Sequence, residues 1–165
     1  MVKIAHSKGV TVEGEIGHVG QAADGDNETD DKYTTPEEAI EFVKATGVDA
    51  LAVAIGTAHG AYKSAPKLDI DRLAQIRSKL DTPLVLHGGS GLSDDDFRNT
   101  IANGIAKVNI FTDMCVAAEI AMRDNAKDGS SGMWGYLETR NKKVEAIKEV
   151  VKNKILLFGS DGKAE

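Results

Sequence analysis

Cysteine is almost absent from this chain, and the one present, Cys115, lies within an apolar helical pattern. No disulfide can therefore form within the chain, which fits a reducing cytosol. Long apolar runs are missing as well. No secretory h-region and no stretch long enough to span a bilayer is found, so a cytoplasmic location is expected. Positive charge is in deficit, with 20 Lys and Arg against 26 Asp and Glu, a net charge of −6 and a pI near 5.2. That balance argues against nucleic acid or an anionic membrane as the main partner. An anionic substrate would need local compensation from backbone amides, a metal or a few placed cations. Low-complexity segments are lacking too. What remains is a 165-residue chain, 41% hydrophobic and 28% charged, within the usual range for one soluble domain.

The densest signal is Pro83-Leu84-Val85-Leu86-His87-Gly88-Gly89-Ser90-Gly91. A short Leu/Val run bounded by Pro and Gly reads as a buried parallel strand. His87 falls where that strand ends, at the carboxyl edge where parallel α/β sheets bind ligands. The glycines after it allow close backbone approach and can turn N–H groups toward an anion.

Around this stretch the chain alternates strand and helix. Residues 1–9 read as the end of an amphipathic helix stopped at Gly9. A domain opening on the last turns of a helix is expected to have lost something upstream. Val10–Ile16 alternates with period two and places Glu13 and Glu15 on one face. Gly17–Lys32 has no apolar periodicity and reads as a long mobile loop. Thr35-Pro36-Glu37-Glu38 is a capping box with proline in the first turn, opening a helix that stops at Gly47. Asp49–Ile55 is an apolar strand, followed by Gly56-Thr57-Ala58-His59-Gly60, a loop over 61–68 and a helix over Asp69–Leu80. After the focal strand, Ser93 caps a helix reaching Asn103-Gly104. Ile105–Phe111 is a fourth strand, and Thr112-Asp113 opens a helix to about Lys127, with Thr112 as its N-cap. A last helix covers roughly Trp134–Lys152. Four such units demand a parallel sheet with right-handed crossovers. They make either half of a (β/α)8 barrel or an open four-stranded sandwich.

Polar residues gather at the predicted strand ends: Glu13 and Glu15, His59-Gly60, His87-Gly88-Gly89-Ser90, and Asn109 with Thr112. Two histidines at neighbouring strand tips can converge on one zinc, which takes imidazole nitrogens and in catalytic sites keeps a position open. Phosphate is often bound in barrels by the loops after the last two strands and a helix N-terminus.

Ala-Ile-Gly-Thr-Ala-His-Gly-Ala-Tyr-Lys around His59, Pro-Leu-Val-Leu-His-Gly-Gly-Ser-Gly around His87 and Lys-Val-Asn-Ile-Phe-Thr-Asp from Lys107 resemble the class II, zinc-dependent ketose-bisphosphate aldolases. Val-Glu-Gly-Glu-Ile-Gly and the closing Phe-Gly-Ser-Asp-Gly-Lys-Ala are similar too, so the resemblance runs the length of the chain. It implies a TIM-type (β/α)8 barrel of which residues 1–165 form a single domain, the C-terminal half with about the last four βα units. It implies His59 and His87 as zinc ligands and Glu15 as a carboxylate near the metal. Gly60, Gly88, Gly89, Ser90, Asn109 and Thr112 would surround the phosphate and backbone of dihydroxyacetone phosphate. No Lys or Arg lies in Gly88–Ser90 or Asn109–Thr112, so backbone and hydroxyl donors, with a monovalent cation, are expected to hold the phosphate.

Two departures stand out. The family's first zinc histidine, preceded by the aspartate that moves the proton, belongs to an N-terminal half that nothing here matches. The loop positions that normally hold glutamates read Gln21-Ala22-Ala23-Asp24. The implied activity is cleavage of a fructose- or tagatose-type ketose 1,6-bisphosphate to dihydroxyacetone phosphate and an aldehyde, with this chain inactive alone. A homo-oligomer, or pairing with an N-terminal half, is expected to cover its open sheet edges. The alternatives are a metal-free phosphosugar isomerase or epimerase, and a non-catalytic half-barrel.

Overall fold

The computed structural model describes residues 1–21, 33–60, 62, 65–129 and 131–164. Most of the expected loop over 17–32, including Ala22, Ala23 and Asp24, lies outside the described residues. The chain divides into two compact units, Met1–Asn109 and Ile110–Glu165.

The first unit is built on a parallel sheet of β1 (Glu13–Ile16), β3 (Ala50–Val53), β5 (Leu84–Leu86) and β6 (Ile105–Val108), side by side in chain order. A two-residue parallel pair, β2 (Gly20–Gln21) with β4 (Ala58–His59), extends from it along the chain. The helices are α1 (Val2–His6), α2 (Pro36–Thr46), α3 (Ile70–Lys79) and α4 (Asp94–Ala102). Here α2 packs on β1, β3 and α3, α3 packs on α4, and α4 packs on β6. Strands in sequential order with their connecting helices in series form one wall of a (β/α)8 barrel. A doubly wound sandwich would instead reverse its strand order and split its helices between two faces. The parallel α/β sheet is thus that of a partial TIM barrel.

Sequence chemistry fixes the helix ends. Thr35 and Ser93 each accept a hydrogen bond from the amide three residues on, while Glu38 and Asp96 reach back to the cap amides. Such caps each contribute about 1 kcal/mol. Gly47 leaves α2 in the left-handed region at φ 71°, where only glycine is unstrained. Asp69 caps α3 through the amide of Arg72.

Face assignment follows from Gly14. A Cβ there would lie 2.7 Å from Phe42 Cε1 and 3.0 Å from Val48 Cγ1, so Gly14 faces α2. Its neighbours Glu13 and Glu15 must face away from the helices, because strand residues alternate. Register carries this face across the sheet: Glu15 pairs with Ala52, Ala52 with Val85, and Val85 with Lys107. Between Leu84 and Val85 the register shifts by one, and the bulge restores Lys107 to the row of Val85. Leu51, Val53, Leu84, Leu86, Leu73, Ile76 and Phe97 are fully buried and form the core with the helices.

Strands are shorter than the apolar runs suggest, for local reasons. The backbone before β1 is tied to other partners: Val10 N–H donates to Ala5, and Val12 N–H donates to the Asp49 carboxylate. Beyond β3, Thr34 takes over, donating its N–H to Ala54 C=O and accepting Ala54 N–H on its hydroxyl, both at 2.9 Å. β6 stops at Val108. Phe111, expected in that strand, instead occupies the N-cap position of α5 in the second unit.

The second unit consists of α5 (Thr112–Lys127) and α6 (Gly132–Leu157) packed on each other. Asp113 pairs with Lys154 at 3.5 Å and Asp128 with Lys142 at 3.6 Å, so the two helices run antiparallel. Asn125 donates to Thr139 Oγ1 at 2.7 Å between them. The last helix begins and ends beyond the expected Trp134–Lys152. Thr112 is the first helical residue rather than the N-cap, and Phe111 offers no side-chain cap. Among the described residues no helix is long and apolar enough to cross a membrane.

Candidate active site at the carboxyl edge of the sheet

His59 at the end of β4 and His87 and Asn109 just past β5 and β6 stand at the carboxyl edge of the first unit, and Glu13 and Glu15 of β1 and Lys107 of β6 meet them from the face of the sheet they share. The His59 and His87 rings stand 6.2 Å apart between centroids, tilted by 45°. His87 is mostly buried, its side chain 13% exposed. Glu13 Oε1 lies 2.9 Å from its Nε2 and Glu15 Oε2 lies 3.0 Å from its Nδ1. A carboxylate oxygen thus lies against each ring nitrogen, because the two glutamates share a face of β1.

Glu13 is held from its other side as well. Lys107 Nζ donates to Glu13 Oε2 at 2.9 Å and to Asn109 Oδ1 at 2.6 Å. Partial burial pushes the Glu13 carboxyl up. The hydrogen bonds from Lys107 and then His87, reinforced by their charges, outweigh it and hold the group below the usual carboxylate range. Spacing marked Glu13 on its strand but not its partnership with Lys107. Their separation of 94 positions hides the link until the register is known.

The two histidine-bearing turns are locked together by backbone. Gly88 sits at φ 68°, and a Cβ on it would lie 2.4 Å from Ala58 O. Tyr62 Oη accepts from Ala58 N–H at 2.8 Å and donates to Gly88 C=O at 2.9 Å. Its ring lies against Gly91, where a Cβ would be 3.2 Å from Tyr62 Cδ2. Tyr62 is therefore a strut between the His59 and His87 segments, also unmarked by spacing alone.

The predicted phosphate residues take distinct positions. Gly60 adopts φ 96°, and among the described residues nothing lies within 4 Å of where a Cβ would be. Gly89 N–H donates to Asn109 C=O at 3.1 Å, and Asn109 N–H donates to Leu86 C=O at 2.9 Å. Those two amides are used within the sheet edge, so they hold the turn rather than face a ligand. Ser90 is buried at 5% exposure, and Thr112 opens α5 in the second unit. Among the described residues, no three of His, Cys, Asp and Glu already form a metal-ready group.

The chain as a whole has known counterparts. The model of class II fructose-bisphosphate aldolases matches residues 1–163. The chain belongs to the class II fructose-bisphosphate aldolase family. It is 44% identical over 171 residues to the uncharacterized protein YdjI of Escherichia coli K12, covering 99% of this chain and 57% of that protein. The crystal structure of the YdjI aldolase superposes with a TM-score of 0.82 at 42% identity, over 99% of this chain and 55% of that one. A fructose-bisphosphate aldolase from Campylobacter jejuni shares the fold, with a TM-score of 0.72 at 24% identity over 96% of this chain and 54% of that one. The chain thus spans about half the length of the relatives it matches.

Within the first unit, Tyr62→Phe removes one hydrogen bond to each histidine segment and leaves the ring in place. Each such bond contributes about 0.5–1.5 kcal/mol. We expect a loss of about 1–2 kcal/mol in denaturant unfolding, since the Ala58 amide also loses its acceptor. An unchanged midpoint would mean the strut carries no load.

Proposed function

We propose that this chain supplies the C-terminal half of a zinc-dependent aldolase that cleaves a ketose 1,6-bisphosphate of fructose or tagatose type, working in the cytoplasm. The observation that carries this is the His59–His87 pair, two imidazoles 6.2 Å apart at the carboxyl edge of a parallel wall with carboxylates beside one of them. The donor set fits zinc, which takes imidazole nitrogen and carboxylate oxygen. His59 and His87 would hold the metal, with Glu15 beside it and a third ligand from the complementary half. When bound, zinc supplies a Lewis acid for the ketose oxygen.

The chain's own residues then position the substrate. Gly60, Gly88, Gly89 and Ser90 frame the two histidine turns and surround the triose end. Asn109 contributes its side-chain amide to the phosphate of that end, with a monovalent cation offsetting its charge. The Gly89 and Asn109 amides brace this frame from within, so affinity rests on the remaining amides and on side chains. As the C3–C4 bond breaks, the C4 hydroxyl proton must pass to a base. Glu13 is committed to His87 and Lys107, and Glu15 lies against His87. With both engaged, the resemblance to the family assigns the base to an aspartate of the complementary half. Residues 1–165 count as one half-barrel domain in this reading, completed by that half or by a second copy of the chain.

A coupled assay for triose phosphate tests this. Zinc-loaded chain alone should turn over at least about 10²–10⁴-fold more slowly than the chain supplemented with an N-terminal half from a full-length relative, as expected for loss of a positioned acid–base group. Equal rates with and without the added half would refute the division of labour.

A further inference from the structure

Lys107, at the centre of one group of contacts at the edge, has no part in the chemistry proposed for its neighbours. Lys107 Nζ joins Asn109 Oδ1 at 2.6 Å to Glu13 Oε2 at 2.9 Å, and Glu13 Oε1 in turn meets His87 Nε2 at 2.9 Å. The link runs from β6 across the face to β1 and back to the end of β5. A lysine ammonium has only donors, so the Asn109 atom facing it must be the carbonyl oxygen. That fixes the amide: its NH2 is turned away from Lys107 and left to donate. Histidines that hold metals usually engage their second nitrogen with a carboxylate, which sets ring orientation and tautomer. Glu13 has that relation to His87, and Lys107 fastens Glu13. Both partners of Lys107 are short, and its side chain is half exposed, 53%, so it fills no core space.

We propose that Lys107 is a positioning residue that acts in two directions, through Glu13 on the orientation of the His87 ring and directly on the facing of the Asn109 amide. Resting on the aldolase reading, in which His87 holds metal and Asn109 meets phosphate, one lysine then couples the metal subsite to the anion subsite. Its charge is spent on Glu13 and Asn109, so it acts on the substrate only through them. Arginine could span the same two acceptors, whereas methionine keeps the stem and loses both bonds.

The full chain, ¹⁵N-labelled, is read by long-range ¹H–¹⁵N spectra of the imidazoles and by the side-chain NH2 signals. In Lys107→Met, the His87 Nε2 and Asn109 NH2 resonances should move, while His6, paired with Asp49 at the far end of the sheet, stays in place. Lys107→Arg should restore both. Zinc affinity should fall by about 10–100-fold in Lys107→Met, the usual cost of losing an outer partner of a metal ligand, and recover in Lys107→Arg. Unmoved His87 and Asn109 signals in Lys107→Met would overturn the inference. If Lys107→Met loses its dispersed spectrum, Glu13→Gln keeps Lys107 and tests the same link. Unmoved His87 signals there would overturn it equally. These spectra need neither metal nor turnover. A wild-type chain that binds no zinc would therefore sink the aldolase reading while the link is still judged on the His87 and Asn109 shifts.

Discussion

Gly88→Ala is expected to be among the most disruptive single substitutions in the first unit. Two penalties coincide there. Alanine at φ 68° costs about 1–2 kcal/mol of left-handed strain. Its methyl would also sit 2.4 Å from Ala58 O and 2.8 Å from Ala58 C, both backbone atoms that no rotamer change can move aside. Either Ala58 retreats, drawing His59 from His87 and breaking the Tyr62 bridge, or the turn after β5 refolds. Gly60→Ala is the matched control. At φ 96° it carries the left-handed penalty, with none of the described residues within 4 Å of a new methyl. A loss of about 2–5 kcal/mol for Gly88→Ala is expected, the left-handed strain plus the cost of overpacking, against about 1–2 kcal/mol for Gly60→Ala. Denaturant midpoints of the two variants decide the matter. Equal losses would mean that the close approach of the two histidine segments is not held by packing.

The same position shows what a linear sequence discloses and what it withholds. The Gly-Gly-Ser-Gly run marks a place where backbones come close, and that much can be read directly. That the near neighbour is the Ala58 backbone, rather than a phosphate, depends on how β4 and β5 lie together in space. Helix starts were legible because a capping box is local: Thr35 with Glu38, and Ser93 with Asp96, need only three residues. Strand limits were less so, because Thr34, twenty positions from Ala54, ends β3 through its hydroxyl. The face shared by Glu13 and Glu15 followed from period two, and His59 and His87 from their place before glycine turns. Lys107 escaped notice for a physical reason. Only the register shift at Leu84 and Val85 returns it to the row of Val85, the face on which Glu13 and His87 meet. Tyr62 likewise gains its role from two backbone partners, one of them 26 positions away.

The largest effect of all is expected at the histidines, and metal content is the measurement that tests the zinc assignment most directly. Each imidazole would be one of two nitrogens that this chain offers, so the loss of either leaves a single ring and carboxylates. Removing one ligand from a two-histidine site abolishes stoichiometric binding, because the remaining donors fall well short of the four that zinc takes. The wild-type chain, purified, loaded with zinc and desalted, is expected to retain close to one equivalent that a chelator strips readily. His59→Ala and His87→Ala should each retain almost none, with their folded spectra intact. A wild-type chain without zinc, or either alanine variant with its zinc undiminished, would contradict the assignment of this edge as the metal centre of an aldolase.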